Sequence, residues 1–407
     1  MILIKNAKPF DVLLDGGKIK KTGKIAEKDA EVLDAKGLVV VPGLIDMHVH
    51  FREPGREDKE TIASGSAAAL AGGFTSVAVM ANSGRVCDDA VGVVYVRAKS
   101  AEANGANVYA VGAVTKGLKG EELAELGKMA EAGAVAFSDD GMPILNSELM
   151  RRALEYSKMF GKPILSHCED ATLTKGFVMN EGPVSTKLGL RGYPNAAEAI
   201  MAARDCALAE LTGGQVHICH VSARETVEVI RQAKKRGARV TAEAAPHHLM
   251  LTDEALAEYE SKYKMNPPLR TREDVEAVVK GIADGTIDAI ASDHAPHTAE
   301  EKEQELASCP NGVVGLETTL GVVLSIRKIP FERAIDAMTA APARILGLKG
   351  KGSLKAGADA DLTLIDPKAR WTVDPGAFKS KGRCTPYEKM TLTGRPAHVI
   401  VGGRVCF

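Results

Sequence analysis

Apolar and polar positions change rhythm twice along this chain, and each change predicts a different kind of element. From Met1 to about Val41, short apolar stretches at 1–5, 12–19 and 31–40 are separated by Gly-containing turns. Such runs read as strands joined by hairpins, not by crossovers. The same texture returns at 352–365 and 398–405. Neither terminal block has enough apolar residues for a core of its own. The two are therefore expected to pack together as one small composite β-sandwich domain, formed by residues 1–43 and 346–407.

Between these blocks, strand-like apolar runs alternate with stretches rich in Ala, Glu, Leu and Lys, the pattern of parallel strands with helical crossovers. Eight runs stand out, at 44–47, 75–80, 107–111, 134–137, 163–166, 215–219, 239–243 and 289–292. Eight parallel strands over roughly 300 residues predict an α/β fold of the (β/α)8 type, a TIM barrel, which takes about 250 residues plus insertions. The barrel is expected over residues 44–345. A doubly wound sheet is the alternative, but no Gly-x-Gly-x-x-Gly follows the first core run, as a dinucleotide-binding version requires.

Composition narrows the class. At 407 residues the chain exceeds what one hydrophobic core usually supports, in keeping with a large domain plus a smaller one. Lys and Arg number 52 against 53 Asp and Glu, and a net charge of -1 argues against general affinity for nucleic acid or an anionic membrane. No apolar stretch reaches the roughly 18 residues of a membrane span, and the start lacks a basic segment followed by an apolar one. A cytoplasmic location is the expectation. Seven cysteines, odd in number and widely scattered, read as reduced thiols.

Candidate chemistry sits where the apolar runs stop. His48 and His50 close the first run, Asp139-Asp140-Gly141 the fourth, His167 the fifth, His220 the sixth and Asp293-His294 the eighth. In a barrel every C-terminal strand end opens into one mouth, so residues far apart in sequence converge. The i, i+2 spacing puts His48 and His50 on one strand face, where both rings reach a single metal ion. The plain alternative is a pair of surface histidines. One histidine at a strand end is ordinarily just a hydrogen-bonded residue; recurrence at five of eight ends argues for a shared centre. Histidines and carboxylates suit a hydrolytic Zn2+ site, and Mn2+ or Co2+ accept similar ligands. Parity assigns His220 to the mouth and His217 to packing or a backbone hydrogen bond. It leaves open which of Asp139 and Asp140 turns inward. His247 and His248 read as supporting groups or helix-start residues.

These residues carry a family resemblance. VPGLIDMHVHFREPG at 41–55, FSDDG at 137–141, SHCED at 166–170, HICHVS at 217–222, EAAPHHL at 243–249, NPPLR at 266–270 and SDHAPH at 292–297 resemble the class I dihydroorotases of the amidohydrolase superfamily. The likeness spans nearly the whole chain, including GSLKAGADAD at 352–361. It implies reversible cyclisation of N-carbamoyl-L-aspartate to L-dihydroorotate with loss of water, a step of de novo pyrimidine synthesis. It implies His48, His50 and Asp293 as ligands of a first zinc and His167 and His220 as ligands of a second, with Asp140 bridging them. Many relatives place a carboxylated lysine at the bridge; this motif has none, so one or two zinc ions are expected, two if Asp140 bridges. Asp293 would be the catalytic acid and base beside a metal-activated hydroxide.

Arg52, Asn82 and His297 are implied as holders of the substrate carboxylate. Arg52 leads, because a guanidinium forms paired bonds to a carboxylate; its alternative is a salt bridge to Glu53 or Glu57. Asn266 either contacts the pyrimidine ring or only opens the Pro-Pro turn. One departure is Met80-Ala81-Asn82-Ser83 where the family reads Met-Pro-Asn-Thr. Losing the proline loosens the loop and is expected to alter substrate affinity before activity. Two other readings compete. One is another cyclic amidase, acting on a hydantoin, dihydropyrimidine or allantoin, against which stand Arg52 and the absence of a bridging lysine. The other is a non-catalytic scaffold subunit bound to aspartate transcarbamoylase, against which stands a complete ligand set. The partner expectations are a small-molecule substrate, no nucleic acid and no membrane, with a homodimer and an aspartate transcarbamoylase association left open.

Overall fold

The eight central apolar runs become neighbouring parallel strands of one sheet. In the computed structural model, which describes residues 1–407, the strands are Leu44–Val49, Phe74–Val79, Asn107–Gly112, Ala136–Ser138, Ile164–Ser166, Val216–Ile218, Val240–Ala244 and Ala289–Ile290, adjacent in chain order. The sheet closes on itself: Val49 bridges His294 in parallel register, and the His50 N–H donates to the His294 carbonyl at 2.8 Å. A side chain completes the seam. The Asp46 carboxylate accepts from the Ser292 N–H at 3.0 Å and from the His48 N–H at 3.1 Å. The eighth strand stops at Ile290, short of the predicted run, because a carboxylate takes the place of a ladder acceptor at Ser292.

Helices form where the sequence supplies both a cap and a spaced apolar stripe. Asn146 caps Ser147–Lys158, accepting from the Glu148 and Leu149 N–H groups, and Met150, Ala153, Leu154 and Ser157 are its buried face. Thr271 and Asp274 form a capping box for Arg272–Asp284, which ends at Gly285 in the left-handed region. Between strands and helices lies a continuous core of 60 buried residues. Inside the barrel a smaller cluster that includes Met47, Ala78, Met80, Val111, Leu165, Cys219 and Ala291 plugs the lumen, so the space above it can only be a mouth. No helix is long and apolar enough to cross a membrane. All seven cysteines are free thiols.

The chain ends build two four-stranded sheets. One holds Ile2–Lys5, Asp11–Asp15, Lys18–Gly23 and Glu31–Asp34; the other holds Val39–Pro42, Leu362–Thr372, Thr391–Val401 and Arg404–Val405. Ile4, Val12, Leu14 and Ile19 share a core with Val40, Leu362, Leu364 and Ile400. The hairpin expectation fails at 31–40. That stretch splits at Gly37, whose φ of 88° turns the chain, so Glu31–Asp34 runs parallel to Ile2–Lys5 while Val39–Pro42 joins the other sheet. Likewise, 352–361 forms turns, and the strand begins only at Leu362. Asp361 ties these turns to the barrel, accepting from Asn107 Nδ2 at 2.9 Å and from the Gly402 N–H at 2.7 Å.

Candidate metal centre and ligand pocket

The first barrel strand is buried at all six positions and delivers two imidazoles to the mouth. His48 Nδ1–H donates to Glu243 Oε1 at 2.6 Å, and its Nε2 is fully buried and without a hydrogen-bond partner. His50 Nδ1–H donates to Asn82 Oδ1 at 2.7 Å and frees its own Nε2. That nitrogen lies 3.3 Å from Asp293 Oδ1 and 3.4 Å from Asp140 Oδ2. His48 Nε2 lies 3.4 Å from Asp140 Oδ1 and 3.7 Å from Asp293 Oδ1. On the far side, Asp140 Oδ1 is 3.3 Å from His220 Nε2 and 3.6 Å from His167 Nδ1.

Asp140 therefore stands between two ligand groups, His48 with His50 and Asp293, and His167 with His220. Donor atoms bound tetrahedrally to one zinc at about 2.0–2.1 Å are about 3.3 Å apart. The contacts to Asp140 and Asp293, at 3.3–3.7 Å, match that spacing, His167 Nδ1 and His220 Nε2 sit closer at 2.9 Å, and the buried His48 nitrogen without a hydrogen-bond partner suits a metal ligand. The residues fit a metal ion. Three of them or their neighbours, Arg52, His220 and Asp293, hold φ values of 59°, 34° and 49°. Backbone strain of this kind persists only where the surroundings enforce it, often at functional sites.

Electrostatics point the same way. Burial alone would raise the Asp140 pKa, yet His48, His167 and His220 outweigh it and hold the carboxyl well below its usual range. Asp293 is lowered against burial by its hydrogen bond to His50 and by the nearby His48 and His220, so it is ionised. Burial lowers His50 and keeps it neutral. Arg52 forms no ion pair: its Nε donates to the Pro296 carbonyl at 3.2 Å, and burial lowers its pKa to about 10. Both alternative partners are engaged elsewhere, Glu53 by the Ile62 N–H and Tyr95 hydroxyl, and Glu57 by the Gly55 N–H.

Every sequence-predicted site residue except His48 lines a cavity of about 230 Å³; His48 is buried beneath it. Their free valences differ. Asn82 uses Oδ1 on His50 and Nδ2 on the Asp140 carbonyl. His297 donates from Nε2 to the Asn311 carbonyl at 2.8 Å and accepts at Nδ1 from Lys59 at 3.2 Å. Burial, with Arg52 and Lys59 nearby, pushes His297 down to about 3. Asn266 donates to Glu169 at 2.9 Å and keeps a buried Oδ1 without a partner. Arg52 thus offers open donors, Asn266 an open acceptor and Asn82 one further amide N–H, while both ring nitrogens of His297 are engaged.

The structure also resolves what parity could not. Asp139 faces away, accepting from the Val114 and Thr115 N–H groups at 2.7 and 3.0 Å. His217 packs inward with side-chain partners, not a backbone one: Thr241 Oγ1 at 2.9 Å and Glu243 at 3.3 Å. His248 donates to the Pro267 carbonyl, and His247 is neutral because burial pushes it down to about 4. Sequence reasoning missed Glu243 behind His48, Glu169 behind His167 at 2.8 Å, and Cys219 below His48 and Asp140. Glu169 had a signal, since it follows His167 at i+2. Glu243 closes the seventh run, as the ligands close theirs.

A closed eight-stranded barrel with histidines and aspartates gathered at the C-terminal ends of its strands has the architecture of amidohydrolases. Among solved structures, the fold is similar to an L-hydantoinase (dihydropyrimidinase) from Arthrobacter aurescens, with a TM-score of 0.88 and 25% identity, covering 99% of this chain and 95% of that one. A D-hydantoinase (dihydropyrimidinase) from Thermus sp. gives 0.84 and 26% identity, covering 100% and 95%. In sequence, the model of the dihydro-orotase-like family matches residues 37–226. A dihydroorotase of Pelotomaculum thermopropionicum is 55% identical over 400 residues, 97% of this chain and 93% of its own. One of Syntrophotalea carbinolica is 51% identical over 402 residues, 98% and 94%. The chain belongs to the dihydroorotase family.

Proposed function

We propose that this chain is a dihydroorotase, interconverting N-carbamoyl-L-aspartate and L-dihydroorotate in pyrimidine synthesis. The observation that carries the substrate is Arg52, a half-buried cation without an ion pair in the wall of the same cavity as the ligand cluster. Its guanidinium binds the substrate carboxylate. In this reading His48, His50 and Asp293 would hold one Zn2+ and His167 and His220 a second, with the Asp140 carboxylate between the two sets. Zinc in such ligand sets lowers the pKa of water toward about 7 and polarises a carbonyl. Asp293, ionised and next to His50, takes the proton of the attacking water and passes it to the departing ring nitrogen. Cyclisation runs the same transfer backwards. The unpartnered Asn266 Oδ1 accepts from a ring N–H. Residues 44–345 form the catalytic barrel and 1–43 with 346–407 the β domain. The reading includes a cytoplasmic location and, as assembly partners, a second copy of the chain or aspartate transcarbamoylase.

The test is turnover of dihydroorotate, hydantoin and allantoin by the zinc-loaded protein, with and without chelator. Dihydroorotate is the expected substrate, with activity lost to chelator and restored by zinc. Arg52→Ala should raise KM for dihydroorotate about 10- to 100-fold, the loss of a charge-assisted contact, without a matching effect on hydantoin, which has no carboxylate. Asp293→Asn should remove turnover and leave the circular dichroism spectrum unchanged. A wild-type preference for hydantoin would overturn the substrate assignment.

A further inference from the structure

Lys264 and Lys302 are only 4% and 5% exposed, and neither forms an ion pair. A buried charge without a counter-ion is expensive unless polar groups surround it. Here the polar groups are carbonyls of one segment. Lys264 Nζ donates to Leu306, Ala307 and Cys309 at 2.6, 3.1 and 2.7 Å. Lys302 Nζ donates to Pro310 and Gly312, both at 3.0 Å. Residues 306–312 belong to no helix or strand, so these carbonyls have no ladder to join. Two ammonium groups gather five carbonyls much as a bound cation would.

This segment ends in the ligand pocket. Asn311 and Gly312 line the cavity, and the Asn311 carbonyl holds His297 Nε2–H. The fit is close: Gly312 has a φ of 119°, and a Cβ there would lie 2.8 Å from the Ala295 side chain and 3.2 Å from His297 Nε2. Gly312 N–H also donates to the Lys264 carbonyl at 3.1 Å, so both ends of Lys264 hold the same segment.

We propose that Lys264 and Lys302 are positioning residues for the substrate pocket, fixing 306–312 as its wall and with it the Asn311–His297 contact beside Arg52. The inference rests on the pocket being the dihydroorotate site, as argued above. Lys264→Met and Lys302→Met keep side-chain bulk and remove the ammonium. In the zinc-loaded protein, amide exchange at 306–312 should accelerate about tenfold or more in each, the equivalent of one lost charge-assisted hydrogen bond. Exchange in Arg224–Lys235 should stay at the wild-type rate. KM for dihydroorotate should rise about tenfold by the same measure, with a smaller change in kcat and unaltered zinc content. Lys302→Gln keeps two N–H donors for the two carbonyls and should recover most of the protection; it also carries the test if the Met variants do not fold. Wild-type exchange at 306–312, or faster exchange with wild-type KM, would overturn the positioning role. A wild-type protein inactive on dihydroorotate would instead sink the substrate reading, and the exchange rates would still judge the clamp.

Discussion

His167 sits between two carboxylates, with Nδ1 3.6 Å from Asp140 and Nε2 2.8 Å from Glu169. Burial disfavours its imidazolium, but the two carboxylates outweigh burial and push it up to about 10. A metal needs the ring nitrogen free of its proton. Loading the stripped protein near neutral pH should therefore release protons, counted by titration calorimetry in buffers of different protonation enthalpy. Glu169→Gln should reduce the release. The sign for stability follows: a raised folded pKa contributes stability fully present below the unfolded value of 6.5 and lost as pH rises through about 10. The Tm of the stripped protein should fall across that window, and that of the zinc-loaded protein should fall less. At this scale the sequence exposed the donor types but not their protonation. Asp139 and Asp140 look alike until the Val114 and Thr115 amides claim one of them.

Strands were legible because the barrel buries them on both faces, leaving continuous apolar runs. Their ends were less so. The predicted 134–137 became Ala136–Ser138, and 31–40 became two strands in two sheets, since a single left-handed Gly37 outweighs an otherwise unbroken pattern. Barrel closure depends on Asp46, a polar residue inside an apolar run. Asp46→Ala would leave the Ser292 and His48 N–H groups buried and unpaired. At about 1–3 kcal/mol each, the expected loss is about 2–6 kcal/mol in urea unfolding. Zinc should also dissociate faster, because His48 and the neighbour of Asp293 hang from this seam. Unchanged stability in Asp46→Ala would mean that the seam relaxes onto water.

The whole molecule joins the barrel to a β layer built from both chain ends, with its own core around Leu364, which is fully buried. Leu364→Ala should cost about 2–5 kcal/mol in urea unfolding, while the folded fraction keeps its zinc, because that core shares no residue with the barrel lumen. The sequence by itself determined the run of eight strands, the composite terminal layer and the residues at the strand ends, because these follow from periodicity and spacing among near neighbours. Tertiary structure decided which groups face one another. Glu243 orients His48 across 195 positions, Pro296 is the only hydrogen-bond partner of the Arg52 side chain across 244, and Lys264 holds Leu306 across 42. Hydrogen bonds and charges act over a few ångströms of space, and only the closed barrel converts those separations into contact.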